Sequence, residues 1–146
     1  MSPEPGAPSD IDIRIQLRLK DLIDNADLAA SLVARGRSAY DTDNMLRLAG
    51  ESVLIRLGEC ADRIDKADPG FVADHPELEL RKVKDTRNVL AHGYDIVDYD
   101  LVWAILETNI PAVAARVSRL LTDYFAVGGA SDGSSMAPMK SGTPVT

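Results

Sequence analysis

The sequence is poor in cysteine, histidine, aromatic residues and positive charge, and each shortage excludes a class of protein. Its single cysteine, Cys60, excludes an intrachain disulfide, and with only two histidines the chain lacks the ligand spacing of a usual zinc site. Aromatic residues make up 5% of the 146 residues, which favours helices packed through aliphatic side chains over a β-sandwich or barrel. Lys and Arg number 16 against 23 Asp and Glu. The resulting net charge of −7 excludes a protein that holds nucleic acid through its overall charge.

Long apolar segments are also missing from the sequence. No run approaches the roughly 18 residues that cross a bilayer. The first ten residues, MSPEPGAPSD, lack the basic and apolar regions of a signal peptide. We therefore expect a cytoplasmic protein with no membrane segment, and we expect it to need no metal or other cofactor.

Proline, glycine and serine concentrate at the two ends of the chain, while 45% of all residues are hydrophobic. Residues 1–9, with three prolines and a glycine, are predicted to form a flexible arm. Residues 126–146 are predicted to form a disordered tail, because they cannot bury enough apolar area to offset their ordering entropy. Residues 10–125 are then one folded domain.

The first predicted helix is amphipathic and ends at Gly36. Its start is ambiguous, because residues 11–19 also alternate between apolar and polar as a strand would. The helical period continues past Leu19 and the alternation does not, which favours the helix. Ser9 or Asp10 is its predicted cap.

The second predicted helix spans about residues 44–65. Gly50 and Gly58 within it each cost about 1 kcal/mol relative to alanine, which indicates that another part of the backbone passes close to them. One of three residues is its cap: Asp41, Thr42 or Asp43. Its predicted apolar stripe is Met45, Leu46, Ala49, Val53, Leu57, Ala61 and Ile64.

Two further helices complete the domain. The third begins at Pro76, runs to about His92 and stops at Gly93. The fourth covers about residues 101–124, and Pro111 in its interior predicts a kink. Its cap is Asp98 or Asp100. Four such helices with short connections predict an all-α protein, an antiparallel four-helix bundle.

The third helix breaks its own apolar pattern at Arg87. This residue shares a face with Leu80, Val83 and Leu90, yet a guanidinium keeps its charge and its donors need partners. Residues 81–92 carry four cations and one acid, which makes a basic island in an acidic chain.

His92 lies at two informative distances along the sequence. Asn88 is four residues before it, so the amide of Asn88 can orient the imidazole. Arg87 is five residues before it, which on a straight helix is about 140° of rotation. The guanidinium and the imidazole therefore converge only if the helix ends at His92 or if a second copy of the chain supplies its own pair.

The stretch RNVLAHGY, residues 87–94, resembles the R-x4-H-x-Y signature of HepT-type toxins in the HEPN superfamily. Gly58 and Glu59 match the Gly-Glu pair of that family, and Trp103 and Pro111 follow in the same order as in the family. The resemblance covers roughly residues 10–124.

The resemblance implies a HEPN-like homodimer that acts as a metal-independent endoribonuclease, the toxin of a type VII toxin–antitoxin system. It makes Arg87 and His92 the catalytic residues, with Asn88 and Glu59 in support. It also implies a partner, a cognate MntA-like minimal nucleotidyltransferase antitoxin, which neutralises the toxin by adding AMP to Tyr94.

The residue types suit RNA cleavage. Histidine can move a proton and arginine can clamp phosphate oxygens. One histidine per chain is short of the two proton-transfer groups that the reaction needs, and a symmetric dimer would supply two copies of His92 and Arg87 around one groove.

A non-catalytic HEPN module that docks a nucleotidyltransferase or binds a nucleotide is the alternative function. The acidic total charge and the spacing of five residues favour it. Each site residue also has a structural interpretation. Arg87 would pair with an acid of the second helix such as Glu59 or Glu51, His92 would bind terminal carbonyls, and Tyr94 would be a half-buried rim aromatic.

Overall fold

Every regular element that the computed structural model describes is helical. It describes residues 11–91 and 97–125, and the all-α prediction is confirmed over these two ranges. The first range contains α1 (Ile13–Val33), α2 (Arg37–Thr42), α3 (Asn44–Ala67), α4 (Pro69–Asp74), a 3-10 turn (Pro76–Leu78) and α5 (Leu80–Ala91). The second contains α6 (Tyr99–Ala104), a π-helical turn (Ile105–Asn109) and α7 (110–125). None of the described helices is long and apolar enough to cross a membrane.

Helix α1 forms where the sequence allowed either a strand or a helix. Its apolar side chains are buried at helical spacing, which confirms the helix. The predicted cap was wrong, because the Asp12 carboxylate accepts the hydrogen bond from the backbone N–H of Arg14 at 2.8 Å. Ser9 and Asp10 lie outside the described residues. The buried side chains of the stripe are Ile15, Leu19, Leu22, Ala26 and Ala29.

Helix α3 is the central helix, and it packs against α1, α2, α5 and α6. Asp43 caps it by accepting a hydrogen bond from the backbone N–H of Met45 at 2.9 Å, which confirms one of the three predicted caps. The predicted stripe was wrong at Met45, whose side chain is 73% exposed. The core face is centred near Leu54, nine residues further on and therefore on the opposite side of the helix.

The last helix begins at Tyr99, slightly earlier than predicted, and Asp98 caps it by accepting a hydrogen bond from the backbone N–H of Leu101. The helix continues through Pro111, and the π-helical turn Ile105–Asn109 lies directly before the proline. Proline has no N–H to donate to the carbonyl four residues earlier, so the backbone widens to a π turn at this position.

Short elements were missed between the long helices. Asp68 caps α4 by accepting a hydrogen bond from the backbone N–H of Phe71 at 3.0 Å. Pro76 begins a 3-10 turn and not the third helix, because Glu79 adopts a positive φ of 53° and interrupts the helix. Helix α5 therefore starts at Leu80. The predicted end of this helix near His92 and Gly93 lies outside the described residues.

Tyr40 of α2 is buried in the core between α3 and α6. Its ring centroid lies 4.8 Å from that of Trp103, and its hydroxyl donates a hydrogen bond to the carbonyl oxygen of Tyr99 at 2.8 Å. Burial raises the pKa of Tyr40 from 10 to about 12.

We expect this shift to make the protein sensitive to alkaline pH. The unfolded chain loses the Tyr40 proton near pH 10 and the folded chain near pH 12, so the free energy of unfolding falls across this interval by at most about 2–3 kcal/mol. Urea unfolding at pH 9, 10, 11 and 12 would measure it. A Tyr40→Phe variant should lose less stability over the same interval, and parallel losses in both proteins would contradict the assignment.

Candidate functional site

Arg87 lies on the apolar face of α5, as the sequence predicted. Leu80, Val83 and Leu90 on the same helix are buried in the core. The side chain of Arg87 is 36% exposed, so its stem packs against the protein while part of the guanidinium reaches solvent.

Gly58 of α3 makes room for this arginine. A Cβ atom at position 58 would lie 2.6 Å from Cγ and 3.3 Å from Cδ of Arg87, and 3.4 Å from the carbonyl oxygen of Val83. The predicted close approach is therefore confirmed at Gly58, where α5 crosses α3. At Gly50 the nearest groups are side chains, those of Leu106 and Tyr40.

The carboxylate that binds Arg87 is Asp62. Oδ2 of Asp62 lies 3.5 Å from a terminal guanidinium nitrogen of Arg87, and the Asp62 side chain is only 11% exposed. An acid of α3 was the expected partner and this is confirmed, but the two acids named as candidates, Glu59 and Glu51, were wrong. Glu51 accepts a hydrogen bond from the Tyr99 hydroxyl at 3.2 Å, and Glu59 is exposed.

A signal for Asp62 was present in the sequence. Gly58 indicates where the neighbouring helix crosses, and Asp62 follows it by four residues, which places both on one face of α3. Glu59 is rotated by about 100° from Gly58 and points away from the crossing. Glu59 therefore lies within one helical turn of the actual partner, Asp62, but on a different side of α3.

Two lysines also bind Asp62. Nζ of Lys66 lies 2.9 Å from Oδ2, the same oxygen that Arg87 approaches, and Nζ of Lys84 lies 3.9 Å from Oδ1. The hydrogen bond from Lys66 has the largest effect, and with the charges of Arg87 and Lys84 it holds the pKa of the Asp62 carboxyl below its usual value. Asp62 is therefore ionised at neutral pH and is shared by three cations.

The basic island of α5 is partly neutralised by acids of the neighbouring segments. Lys84 also binds Asp65 of α3 at 2.9 Å, Arg81 lies 3.8 Å from Asp65, and Lys82 pairs with Glu79 at 3.1 Å. We call the connected group on α3 and α5 the Asp62 cluster. Its members are Asp62, Asp65, Lys66, Arg81, Lys84 and Arg87. With four cations and two carboxylates the cluster keeps a positive surplus.

The structure describes three of the five predicted site residues, Arg87, Asn88 and Glu59. Asn88 is exposed on α5 and Glu59 is exposed on α3, while the ion pair of Arg87 is with Asp62. His92 and Tyr94 lie outside the described residues. Within 11–91 and 97–125, no group of three His, Cys, Asp or Glu side chains could hold a metal ion.

The arrangement at Arg87 suits recognition of an anion. A guanidinium has five N–H donors in a planar fork, and the contact with Asp62 uses only one edge of it. The partial exposure of the side chain leaves donors accessible from solvent. A phosphate group could therefore bind while Asp62 holds one edge of the guanidinium and the stem packs against Gly58.

The fold and this site define a helical protein that presents a half-buried arginine where two helices cross. The profile of a family described as Ribonuclease HepT-like matches residues 22–120, which is most of the chain and includes the Asp62 cluster. The chain belongs to the HepT-like ribonuclease family of the HEPN superfamily. No curated protein and no solved structure matches it.

Proposed function

We propose that this chain is the toxin of a type VII toxin–antitoxin system, an endoribonuclease that cleaves RNA without a metal ion by means of Arg87 and His92. The observation that carries the proposal is the accessible guanidinium of Arg87, held by Asp62, in a member of a ribonuclease family. Arg87 also differs from an ordinary surface arginine in its place, because it interrupts the apolar face of α5 and packs against Gly58 of α3.

The proposed reaction uses the 2′-hydroxyl of the RNA as its nucleophile. The 2′-oxygen attacks the adjacent phosphorus and the bond from phosphorus to the 5′-oxygen breaks, which leaves a 2′,3′-cyclic phosphate and a 5′-hydroxyl. One imidazole accepts the 2′-hydroxyl proton, and a second donates a proton to the departing oxygen. Arg87 binds the phosphate oxygens and stabilises the negative charge of the pentacoordinate phosphorane.

The need for two imidazoles supports a homodimer. Each chain has one histidine in the motif, His92, and two chains related by a twofold axis would supply both proton-transfer groups. We propose that the long helices α1, α3, α5 and α6–α7 form the antiparallel HEPN-like bundle that dimerises. The second arginine would bind the same phosphate from the other side.

Two further residues have proposed roles outside the phosphate contact. Asn88, four residues before His92, would orient the imidazole. Tyr94, two residues after it, is the proposed acceptor of AMP from a MntA-like nucleotidyltransferase antitoxin. A bulky anionic group at this position would exclude RNA by its size and by its charge.

Cleavage of RNA by the purified chain in EDTA tests the function. We expect the wild type to cut single-stranded RNA into products that end in 2′,3′-cyclic phosphate, and to slow the growth of a bacterial host that expresses it. His92→Ala should do neither, because the loss of an acid–base group costs about 10²–10⁴ in rate. Equal cleavage and equal growth with the two proteins would contradict the proposal and favour a non-catalytic module that docks a nucleotidyltransferase.

A further inference from the structure

The Asp62 carboxylate holds Arg87 loosely. The distance of 3.5 Å between the guanidinium nitrogen and Oδ2 is at the long limit of a hydrogen bond, whereas Lys66 approaches the same oxygen at 2.9 Å. A carboxylate and a guanidinium left to themselves prefer two parallel hydrogen bonds. Here both oxygens of Asp62 are shared with lysines, since Lys66 takes one lone pair of Oδ2 and Lys84 lies 3.9 Å from Oδ1, which weakens the attraction that would close a bidentate pair.

The competition by Lys66 is built into one helix. Asp62 and Lys66 are four residues apart on α3, with the acid nearer the N-terminus, which is the favourable order for such a pair. The Lys66 side chain is 77% exposed, whereas the Asp62 side chain is only 11% exposed. Arg87 approaches the same carboxylate from α5.

We propose that Asp62 is a positioning residue that aims Arg87 at the RNA phosphate, and that Lys66 keeps this ion pair loose enough for the guanidinium to bind substrate. The inference rests on the proposed ribonuclease function. Without Asp62, the arginine keeps its charge but loses its orientation. Without Lys66, Arg87 closes onto the carboxylate and turns donors away from the phosphate.

The chain offers a matched control for Asp62. Asp65 is on the same helix and binds Lys84 at 2.9 Å, but its contacts are with Lys84 and Arg81 and not with Arg87. Asp65→Asn changes the net charge by the same amount as Asp62→Asn. A general electrostatic effect on RNA binding would appear in both variants, whereas a positioning effect would appear only in Asp62→Asn.

The experiment is steady-state RNA cleavage by full-length variants whose folding is checked by thermal unfolding. We expect Asp62→Asn to lower kcat by roughly 10- to 100-fold, the cost of a misplaced group, with KM changed by less than about threefold. Asp65→Asn should keep kcat within about threefold of the wild type. Equal kcat in Asp62→Asn and the wild type, or equal losses in the two asparagine variants, would overturn the proposal.

Two combinations separate positioning from a merely structural role. In an Arg87→Ala background Asp62→Asn should cause no further loss of kcat, because the residue acts through the arginine. Lys66→Gln should by itself lower kcat several-fold, which corresponds to about 1 kcal/mol in the activation free energy, and should have no effect when Asp62 is already asparagine. Lys66 is too exposed for its replacement to unfold the protein, so this arm stays informative if Asp62→Asn is unstable.

The outcomes distinguish the two proposals. A wild type that does not cleave RNA contradicts the ribonuclease function, and the role of Asp62 falls with it. A wild type that cleaves RNA together with additive losses from Asp62→Asn and Arg87→Ala contradicts the positioning role alone. A Lys66→Gln variant that equals the wild type contradicts the loosening role of the lysine.

Discussion

Replacing Arg87 with alanine is expected to lower the kcat of RNA cleavage by about 10²–10³-fold, the loss typical when one preorganised donor to a developing oxyanion is removed. Arg87→Lys should restore little of this activity, because an ammonium group keeps the charge but cannot form the planar, bidentate contact. Single-turnover cleavage of a short RNA would measure the chemical step. The fold should survive, since Lys66 and Lys84 still compensate Asp62 after the arginine is removed.

Arg116→Ala is the matched control for this prediction. Arg116 forms an ion pair with Glu79 at 3.4 Å and its side chain is 39% exposed, close to the ion-pair distance of 3.5 Å and the exposure of 36% at Arg87. The substitution Arg116→Ala removes the same charge from a different helix, α7, and should leave kcat within about threefold of the wild type. Arg87→Ala and Arg116→Ala with equal activity would show that Arg87 has no special part in the reaction.

Replacing Gly58 with alanine should inactivate the protein through Arg87. The new Cβ would lie 2.6 Å from Cγ of Arg87, which is too close, so the arginine stem must move and its guanidinium leaves its place on Asp62. We expect kcat to fall by roughly 10²-fold, the cost of a displacement of about 1 Å. Overpacking costs about 1–3 kcal/mol and the better helix propensity of alanine returns about 1 kcal/mol, so the variant should be somewhat less stable than the wild type.

The sign of this stability effect should reverse when Arg87 is also alanine. The clashing side chain is then absent, and the gain in helix propensity remains, so Gly58→Ala should stabilise the Arg87→Ala protein by up to about 1 kcal/mol. Gly50→Ala is the control for activity, because its Cβ would meet Leu106 and Tyr40 and not Arg87. Equal stability changes from Gly58→Ala in both backgrounds would show that the glycine does not act by making room for Arg87.

The long helices could be predicted from the sequence because each has an amphipathic period that no competing signal sustains. Residues 11–19 show the limit of this approach, since the strand-like alternation ended at Leu19 and only the longer pattern decided for a helix. The stripe on α3 was assigned too broadly, and Met45 proved exposed because the core face is set by which neighbours pack on the helix. The six-residue helices α2 and α4 are too short to show a period.

The site was predictable up to the identity of its partners. Gly58 indicated a close approach by another part of the backbone, and Arg87 was expected to meet an acid of the same helix. The structure joins the two expectations, because it places Arg87 against Gly58. Which carboxylate meets the guanidinium depends on the angle at which α5 crosses α3, and a difference of three residues separates Glu59 from Asp62. The prediction that His92 and Tyr94 act at the same site stays a prediction, since both lie outside the described residues.

The π-helical turn before Pro111 divides the last helix into two registers. A π turn contains about one residue more than an α turn, so residues 110–125 are rotated by about 100° relative to an uninterrupted helix. Val102, before the turn, lies near Gly50. Val113 and Val117, after the turn, are buried in the core in the rotated part of the helix. Sequence changes in the second half can thus alter the outer surface of α7 without reorienting α6, which packs on α3.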